Sequence, residues 1–165
     1  MKIYNVHERS FKAMPKELGE ILNSLSGEND MLWPKDQWPP MRFDSPLSEG
    51  ARGGHGPIHY HVSEYTPGKR AAFEFEEKGL LKGFDGRHYF EIVPHRDFIL
   101  LRHIIDAWCD FRTWLRWYLI VGPLHDALME DALDNAEQRL TTDLRKRSKW
   151  SIWVRFIRWF MARKS

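Results

Sequence analysis

The sequence predicts an α+β domain followed by a short basic helix. From Met41 to about Asp110, apolar and polar residues alternate as in antiparallel strands, and helical periodicity follows from Arg112 to about Leu140. The last segment, Arg145 to Ser165, holds eight of the 25 Lys and Arg residues and no acid, which leaves 17 basic against 23 acidic residues elsewhere. This asymmetry indicates an acidic domain with a surface-seeking appendage, so we divide the chain into residues 1–142 and 143–165.

The first forty residues predict one strand, one helix and one irregular segment. Lys2 to Phe11 alternates with period two and predicts a strand. Lys16 to Leu25 places leucines and an isoleucine at helical spacing, with Pro15 near the first turn, and predicts a short helix. Ser26 to Pro40 contains two Trp-Pro steps and predicts a stiff, irregular wall, since each proline fixes its own φ and restricts its predecessor.

Turns in the strand region predict the registers of two hairpins. The glycines between Gly50 and Gly56 predict a bend or bulge, and they lack the spacing of a phosphate-binding loop. The turn at residues 66–69 sets these pairs: Tyr65 with Arg70, Val62 with Phe73, Tyr60 with Phe75, His61 with Glu74 and His59 with Glu76. The turn at residues 94–97 sets these pairs: Val93 with Phe98, Ile92 with Ile99, Phe90 with Leu101 and His88 with His103.

The helix from Arg112 to about Leu140 has one apolar side and one acidic side. Its predicted apolar side consists of Leu115, Tyr118, Leu119, Leu124, Leu128, Ala132 and Ala136. Asp126, Glu130 and Asp131 are predicted to form a solvated face. Gly122-Pro123 lies in the middle of the segment and is a candidate kink.

Several segments resemble uncharacterised bacterial members of the START-like superfamily, which includes polyketide cyclases, plant allergen relatives and lipid-transfer domains. The segments that carry the resemblance are LWPKDQWPPMRFD (32–44), GARGGHGPIHYHV (50–62), YTPGKR (65–70), GFDGRHYFEI (83–92), LRHII (101–105) and GPLHDALMEDALD (122–134). The resemblance covers about residues 3–140. It implies the helix-grip fold, in which a curved antiparallel sheet wraps around a long C-terminal helix and encloses a hydrophobic cavity. It implies no reaction, because the superfamily holds both carriers and enzymes.

The inner sheet face of this fold supplies the predicted ligand-binding residues: Tyr60, Val62, Phe73, Phe75, His88, Phe90, Leu101 and His103, with His125 from the helix. His88 and His103, about 5 Å apart in the predicted register, are the candidate catalytic acid and base. The alternative is that the pair only satisfies buried polar groups. Since no i,i+4 pair or acidic third ligand accompanies these three histidines, we predict no metal and no cofactor.

The tail predicts a basic amphipathic helix that contacts a membrane or a protein partner. The predicted contact residues are Trp150, Trp153, Arg155, Phe156, Arg158, Trp159 and Phe160. Aromatic bulk beside arginine is typical of helices that lie in an anionic lipid interface, and the segment is too short and too charged to span a bilayer. The alternatives are docking on its own domain or a homodimer contact. Nucleic acid is disfavoured, because the acidic domain repels phosphate.

These features together favour a binding module for a small hydrophobic or aromatic molecule, either a lipid or a polyketide-like metabolite. A single cysteine, Cys109, and an N-terminus without an apolar stretch predict a cytoplasmic protein, with the tail peripheral to the inner face of the membrane. One alternative function is a cyclase or dehydratase that uses His88 and His103. A further alternative is an oligomer formed through the tail.

Overall fold

The computed structural model describes residues 1–77, 82–141 and 147–163. Its elements in chain order are β1 (Lys2–Phe11), α1 (Pro15–Asn23), β2 (Met41–Phe43), β3 (Arg52–His55), β4 (Ile58–Thr66), β5 (Arg70–Phe75), β6 (Phe84–Pro94), β7 (Ile99–Cys109), α2 (Phe111–Arg116), a π-helical segment (Trp117–Val121), α3 (Gly122–Leu140) and α4 (Ile152–Ala162). The first strand, the first helix and the long helical stretch lie where the sequence predicts them. The predicted boundary between residues 142 and 143 lies outside the described residues.

The strands form one antiparallel sheet in the order β1-β7-β6-β5-β4-β3-β2. The sheet curves around α3, which confirms the predicted α+β helix-grip architecture. Alternate residues of β6 and β7 are buried against the helices, as the period of two requires. The inner face of the sheet, α1, α3 and the Trp-Pro segment share one hydrophobic core.

The register of the β4–β5 hairpin is as predicted away from its turn and wrong beside it. Val62 pairs with Phe73, and Tyr60 pairs with Phe75, as predicted. Tyr65 pairs with Ala71 rather than Arg70, because a bulge between Val62 and Glu64 adds one residue to β4. The predicted pairing is therefore off by one residue beside the turn, and the extra residue of the bulge restores it at the buried pairs.

The predicted register of the β6–β7 hairpin is wrong by two residues. Pro94 pairs with Ile99, so the loop holds four residues, and His88 lies opposite Ile105 rather than His103. Because side chains alternate with period two, a shift of two leaves every residue on its predicted face. His88 and His103 consequently remain on the inner face as diagonal neighbours.

The middle of the glycine-rich segment, Arg52–His55, forms strand β3 rather than the predicted bend or bulge, and Gly50 and Gly56 lie in turns on either side of it. Gly53 pairs with Tyr60, and His55 pairs with Ile58 across the two-residue turn Gly56-Pro57. A Cβ atom on Gly54 would lie 1.9 Å from the Ile58 carbonyl oxygen, and the φ of Gly54 is +151°. Only glycine therefore allows β3 to approach β4 this closely.

The long helix contains a π-helical segment directly before the predicted kink position. Pro123 has no N–H to donate to the carbonyl four residues earlier, that of Leu119. The extra residue in the π turn also rotates the helix faces. Trp117 and Val121 consequently point inward ahead of Leu124, whereas Leu115, Tyr118 and Leu119, predicted as apolar core residues, are 42%, 68% and 47% exposed.

Helix α4 docks on the domain along one narrow stripe. The stripe has the spacing i, i+3, i+4, i+7 and consists of Val154, Ile157, Arg158 and Met161. The Trp153 indole nitrogen donates to the Leu119 carbonyl over 2.8 Å, the carbonyl that Pro123 cannot serve. None of the helices in the described part of the chain is long and apolar enough to cross a bilayer.

Asp131 anchors this docking, which corrects its predicted place on a solvated face. It is 8% exposed and accepts hydrogen bonds from the indole nitrogens of Trp38 (2.7 Å) and Trp150 (2.8 Å). The Arg158 guanidinium lies 4.3 Å from the ring centres of both tryptophans. It also donates to the Gln37 carbonyl over 2.6 Å. Trp150 and Arg158, predicted as membrane or partner contacts, thus make contacts within the chain.

Candidate functional site

A cavity of about 120 Å³ lies between the inner face of the sheet and the long helix. The residues that line it are Trp33, Trp38, Pro39, His55, Pro57, Ile58, Phe75, His88, His103, Ile105, Trp117, Val121, Leu124, His125, Leu128, Met129 and Met161. Apart from four imidazoles, these side chains are hydrophobic or aromatic. The cavity is therefore apolar with a few polar groups, as small-molecule sites commonly are.

Three local features of the sequence bring the four imidazoles together. The Gly53-Gly54 pair lets β3 approach β4 and directs His55 inward, and the period of two places His88 and His103 on the same face. The π turn sets the rotation of α3, so that His125 reaches the cavity. The ring centres of His103 and His125 are 5.0 Å apart.

The predicted ligand-binding residues divide into two groups in the structure. Phe75, His88, His103 and His125 line the cavity. Tyr60 lies behind it and hydrogen-bonds to His55. The predicted lining residues Val62, Phe73, Phe90 and Leu101 are buried in the core away from the cavity, because core side chains fill that part of the groove.

Sequence reasoning missed His55 and Trp117, whereas Trp33 and Trp38, which also line the cavity, belong to the Trp-Pro segment that the sequence predicts as a stiff wall. The sequence conceals His55 because the glycines around it favour a bulge over a strand. A two-residue turn at Gly56-Pro57 would have paired His55 with Ile58 and placed it on the same face as Tyr60. Trp117 was hidden because a π turn shifts the helical periodicity.

His88 and His103 form a hydrogen-bonded pair. His88 Nδ1 and His103 Nε2 are 3.1 Å apart, and the two residues are 4% and 2% exposed. His88 is stacked between Phe73 and Phe75, with ring centres 4.8 and 4.9 Å away. The outer nitrogens, His88 Nε2 and His103 Nδ1, are buried and have no hydrogen-bond partner among the described residues.

The electrostatics of the cavity keep its imidazoles neutral. Burial lowers the pKa of His88 and His103 well below the usual histidine value, with repulsion from the other imidazoles adding to the effect. Burial and the nearby His125 lower the pKa of His55 to about 3. Burial also lowers the pKa of His125 and raises that of Tyr60, whose hydroxyl lies 2.9 Å from His55 Nδ1.

A neutral imidazole carries one N–H and one lone pair, which determines what the His88–His103 pair offers. If His88 Nδ1 donates to His103, then His88 Nε2 is an acceptor and His103 Nδ1 is a donor. If His103 Nε2 donates to His88, both roles exchange. The outer nitrogens therefore always present one donor and one acceptor, and a shift of tautomer exchanges them.

The outward side of α4 is aromatic and basic. Trp153, Phe156, Trp159 and Phe160 are each about half exposed, and Arg155 is exposed beside them. The rings of Trp153, Phe156 and Trp159 stack in sequence along the helix. The exposed Leu115, Tyr118, Leu119 and Ile120 adjoin this row through the Trp153–Leu119 hydrogen bond. We call these residues together the aromatic face.

The comparisons with known proteins found similarity in structure alone. No family model matches the chain, and no curated protein matches it in sequence. Norcoclaurine synthase from Thalictrum flavum, solved with dopamine and hydroxybenzaldehyde, has a TM-score of 0.62 and 14% identity over 88% of this chain and 90% of its own. CalU16 from Micromonospora echinospora has a TM-score of 0.56 and 15% identity over 98% of this chain and 84% of its own.

A protein from Thermobifida fusca, solved in solution, has a TM-score of 0.61 and 15% identity over 90% of this chain and 99% of its own. At these identities the likeness establishes architecture. The chain therefore has the helix-grip fold, which is the fold that its resemblance to the START-like superfamily implies.

Proposed function

We propose that this protein binds a small, uncharged molecule of about one aromatic ring in the histidine-lined cavity. The observation that carries the proposal is the cavity itself, about 120 Å³ in volume and walled by apolar side chains and four neutral imidazoles. An apolar protein cavity of about 150 Å³ is known to hold benzene. The volume therefore suits a single ring.

Size and charge narrow the ligand class. Pockets for larger ligands commonly measure about 300–1,000 Å³, so an acyl chain or a fused-ring polyketide would need a larger cavity. No Lys or Arg lines the cavity among the described residues, so a carboxylate there would be unpaired. A hydroxyl or carbonyl group could instead hydrogen-bond to the outer nitrogens of His88 and His103. The ligands of norcoclaurine synthase, dopamine and hydroxybenzaldehyde, are also single-ring phenols.

Titration calorimetry of the full chain with phenol, catechol and 4-hydroxybenzaldehyde tests the proposal. Benzoate serves as the anionic comparison, and decanol as the lipid-like one. Leu124→Trp, which fills the cavity, should weaken binding of the phenols by at least about tenfold, or about 1.4 kcal/mol. Leu115→Trp is the matched control, because Leu115 lies outward on the same helical stretch. Equal binding by both variants, or no binding of any phenol by the wild type, would overturn the proposal.

A second candidate function is acid–base catalysis by His88 and His103. The hydrogen-bonded pair with exchangeable donor and acceptor roles favours it, since such a pair can remove one proton and deliver another. Deuterium exchange at the α-carbon of phenylacetaldehyde, followed by NMR, would detect enolisation. His88→Gln should slow this exchange by about 100-fold or more, whereas the exposed His59→Gln should not change it. If the protein binds phenols but deuterium exchange does not exceed the background rate, catalysis by this pair is excluded and the binding function remains.

We also propose that the aromatic face rests on an anionic membrane surface. The stretch 111–124 and the tail from residue 145 contain Arg and Lys but no acid, so the face and its surroundings complement anionic lipid. Half-exposed tryptophans beside arginine suit the interfacial region of a bilayer. This contact would place the protein at the inner membrane surface, where apolar ligands accumulate.

Vesicle flotation tests the membrane contact, with phosphatidylglycerol vesicles compared with phosphatidylcholine vesicles. The full chain should float with the anionic vesicles at low salt, and a chain that ends at Thr142 should not. Trp159→Glu should abolish flotation. The control Trp108→Glu alters an exposed tryptophan of β7 and should float like wild type. A wild-type dimer that Trp159→Glu converts to a monomer, with no flotation of either protein, would instead identify the face as a subunit contact.

A further inference from the structure

A cluster of metal-ligating side chains lies where β1 crosses α3, at one wall of the cavity. One ligand atom from each of His7, His125 and Asp126 lies within 4.8 Å of the other two. His7 Nε2 is 3.0 Å from Asp126 Oδ1, and His125 Nδ1 is 3.8 Å from the same oxygen. His125 also lines the cavity, so the cluster and the cavity share one side chain.

Both ring nitrogens of His7 face carboxylates. Nδ1 is 3.2 Å from Glu130 Oε1, and Nε2 faces Asp126. A neutral imidazole has one N–H, so one of its nitrogens would turn a lone pair toward a carboxylate oxygen. A cation between the nitrogen and the oxygen, a second proton on His7 or a proton on that carboxyl group would each remove this contact between two lone pairs. The two carboxylates are themselves fixed, because Arg9 binds Glu130 over 2.9 Å and Asn5 donates to Asp126 over 3.0 Å.

His125 supplies the second, independent observation. Both of its ring nitrogens are buried and have no hydrogen-bond partner among the described residues. Its Nδ1 is too far from Asp126 for a hydrogen bond. Leaving a buried polar group unsatisfied costs about 1–3 kcal/mol. A ligand at this point would therefore remove the cost.

We propose that His7, His125 and Asp126 bind a divalent transition-metal cation, with Zn²⁺ the best match. Zinc accepts imidazole and carboxylate ligands at about 2.0–2.2 Å, which places ligand atoms of a tetrahedral site roughly 3.3 Å apart. The observed separations of 3.0 and 3.8 Å bracket this value. Three protein ligands leave one position for water or for a cavity ligand.

The surroundings of His7 match those of metal-bound histidines. Such a histidine donates its other ring N–H to a carboxylate, which fixes the tautomer and the ring orientation. Glu130 occupies this place opposite Nδ1, so that Nε2 is left with its lone pair toward the cation. The sequence concealed the cluster, because His7 lies on β1, more than a hundred residues from its partners.

The test is titration of tag-free, chelator-treated full-length protein with Zn²⁺, followed by calorimetry and by the visible spectrum of the Co²⁺ form. We expect one ion per chain and a cobalt spectrum typical of four-coordination. Asp126→Asn and His125→Asn should each weaken Zn²⁺ binding by more than about 10-fold, and Glu130→Gln by about 10- to 100-fold. His59→Gln, which removes an exposed histidine, is the matched control and should bind like wild type.

Circular dichroism of each variant establishes that it is folded. The Asp126 side chain is half exposed, so Asp126→Asn is the variant least prone to unfold. Wild-type protein that binds no Zn²⁺, or binds it as tightly after Asp126→Asn as before, would overturn the site. Binding of phenols by the metal-free protein is a separate readout, so failure of the metal site leaves the cavity proposal standing.

Discussion

Single residues determine the chemistry of this cavity, and its four histidines behave differently from histidines on the surface. His88 and His103 are buried and His55 and His125 are largely shielded from water, which disfavours the charged form and lowers the pKa of each. The His88–His103 bond satisfies one nitrogen of each ring and leaves the other available. The part of the cavity wall that the described residues form therefore offers hydrogen-bonding nitrogens and carries no charge near neutral pH.

The first prediction concerns stability in acid. Unfolded histidines bind protons below about pH 6.5, whereas His55 in the folded protein resists protonation down to about pH 3. Between these two pH values the unfolded state binds more protons than the folded state. The free energy of unfolding is therefore highest above about pH 6.5 and falls as the pH drops toward 3. Each such histidine contributes a slope of up to about 1.4 kcal/mol per pH unit.

Denaturant unfolding between pH 7.5 and 4 measures this slope. His55→Phe should reduce this slope by up to about 1.4 kcal/mol per pH unit, which corresponds to one proton, whatever the substitution does to absolute stability. His59→Gln alters an exposed histidine and should leave the slope unchanged. Stability that is constant across this range in the wild-type protein would contradict the prediction.

The second prediction concerns Asp131, a buried carboxylate that accepts from two indoles. Hydrogen bonds to charged groups contribute about 1.5–3 kcal/mol each, so Asp131→Ala, which removes two, should lower the free energy of unfolding by about 3–6 kcal/mol. It should also release the tail from the domain. Limited digestion with trypsin would then cleave the chain at the arginines of the tail. Asp36→Ala at an exposed position is the control. An intact tail in Asp131→Ala would show that the apolar stripe alone holds α4.

At the scale of elements, periodicity predicts which face of a strand is buried, but it does not predict bulges or π turns. Period-two alternation predicted the faces of β4 to β7 even where the register was wrong, because a two-residue shift preserves the face. The bulge in β4 and the π turn could not be predicted this way, since each adds a residue without a marked change in composition. The exposure of Leu115 follows from the π turn.

The third prediction concerns β3. Gly54→Ala should lower the free energy of unfolding by more than about 3 kcal/mol. The added Cβ would collide with the Ile58 carbonyl, and alanine would also be strained at the positive φ of this position. Gly50→Ala is the matched control, because its φ is also positive and nothing lies within 4 Å of the added Cβ. That change should cost only about 1–2 kcal/mol. Equal losses in the two variants, measured by denaturant unfolding, would contradict the close-approach argument.

At the scale of the whole molecule, α4 joins the cavity to the surface. Met161 lines the cavity, while Phe156 and Trp159 of the same helix face outward. A helix with these two sides connects the proposed ligand site with the proposed membrane contact.

The fourth prediction follows from this position of α4. A chain that ends at Thr142 should exchange a cavity ligand faster than the full chain, because one wall is removed. Line broadening of 4-fluorophenol in ¹⁹F NMR measures the exchange rate. Met161→Ala keeps α4 docked through Val154, Ile157 and Arg158, and should give an intermediate rate. Identical exchange in all three proteins would mean that ligands enter elsewhere.

The sequence by itself determined the order of the elements, the inner face of the sheet, and the basic aromatic character of the tail. These are local properties, which periodicity, turn residues and charge record directly. Only the tertiary structure decided that His55 joins the predicted histidines of the cavity, that His7 meets Asp126, and that Trp150 and Arg158 point inward. Such contacts join distant parts of the chain and depend on register, bulges and helix rotation, which local patterns leave open.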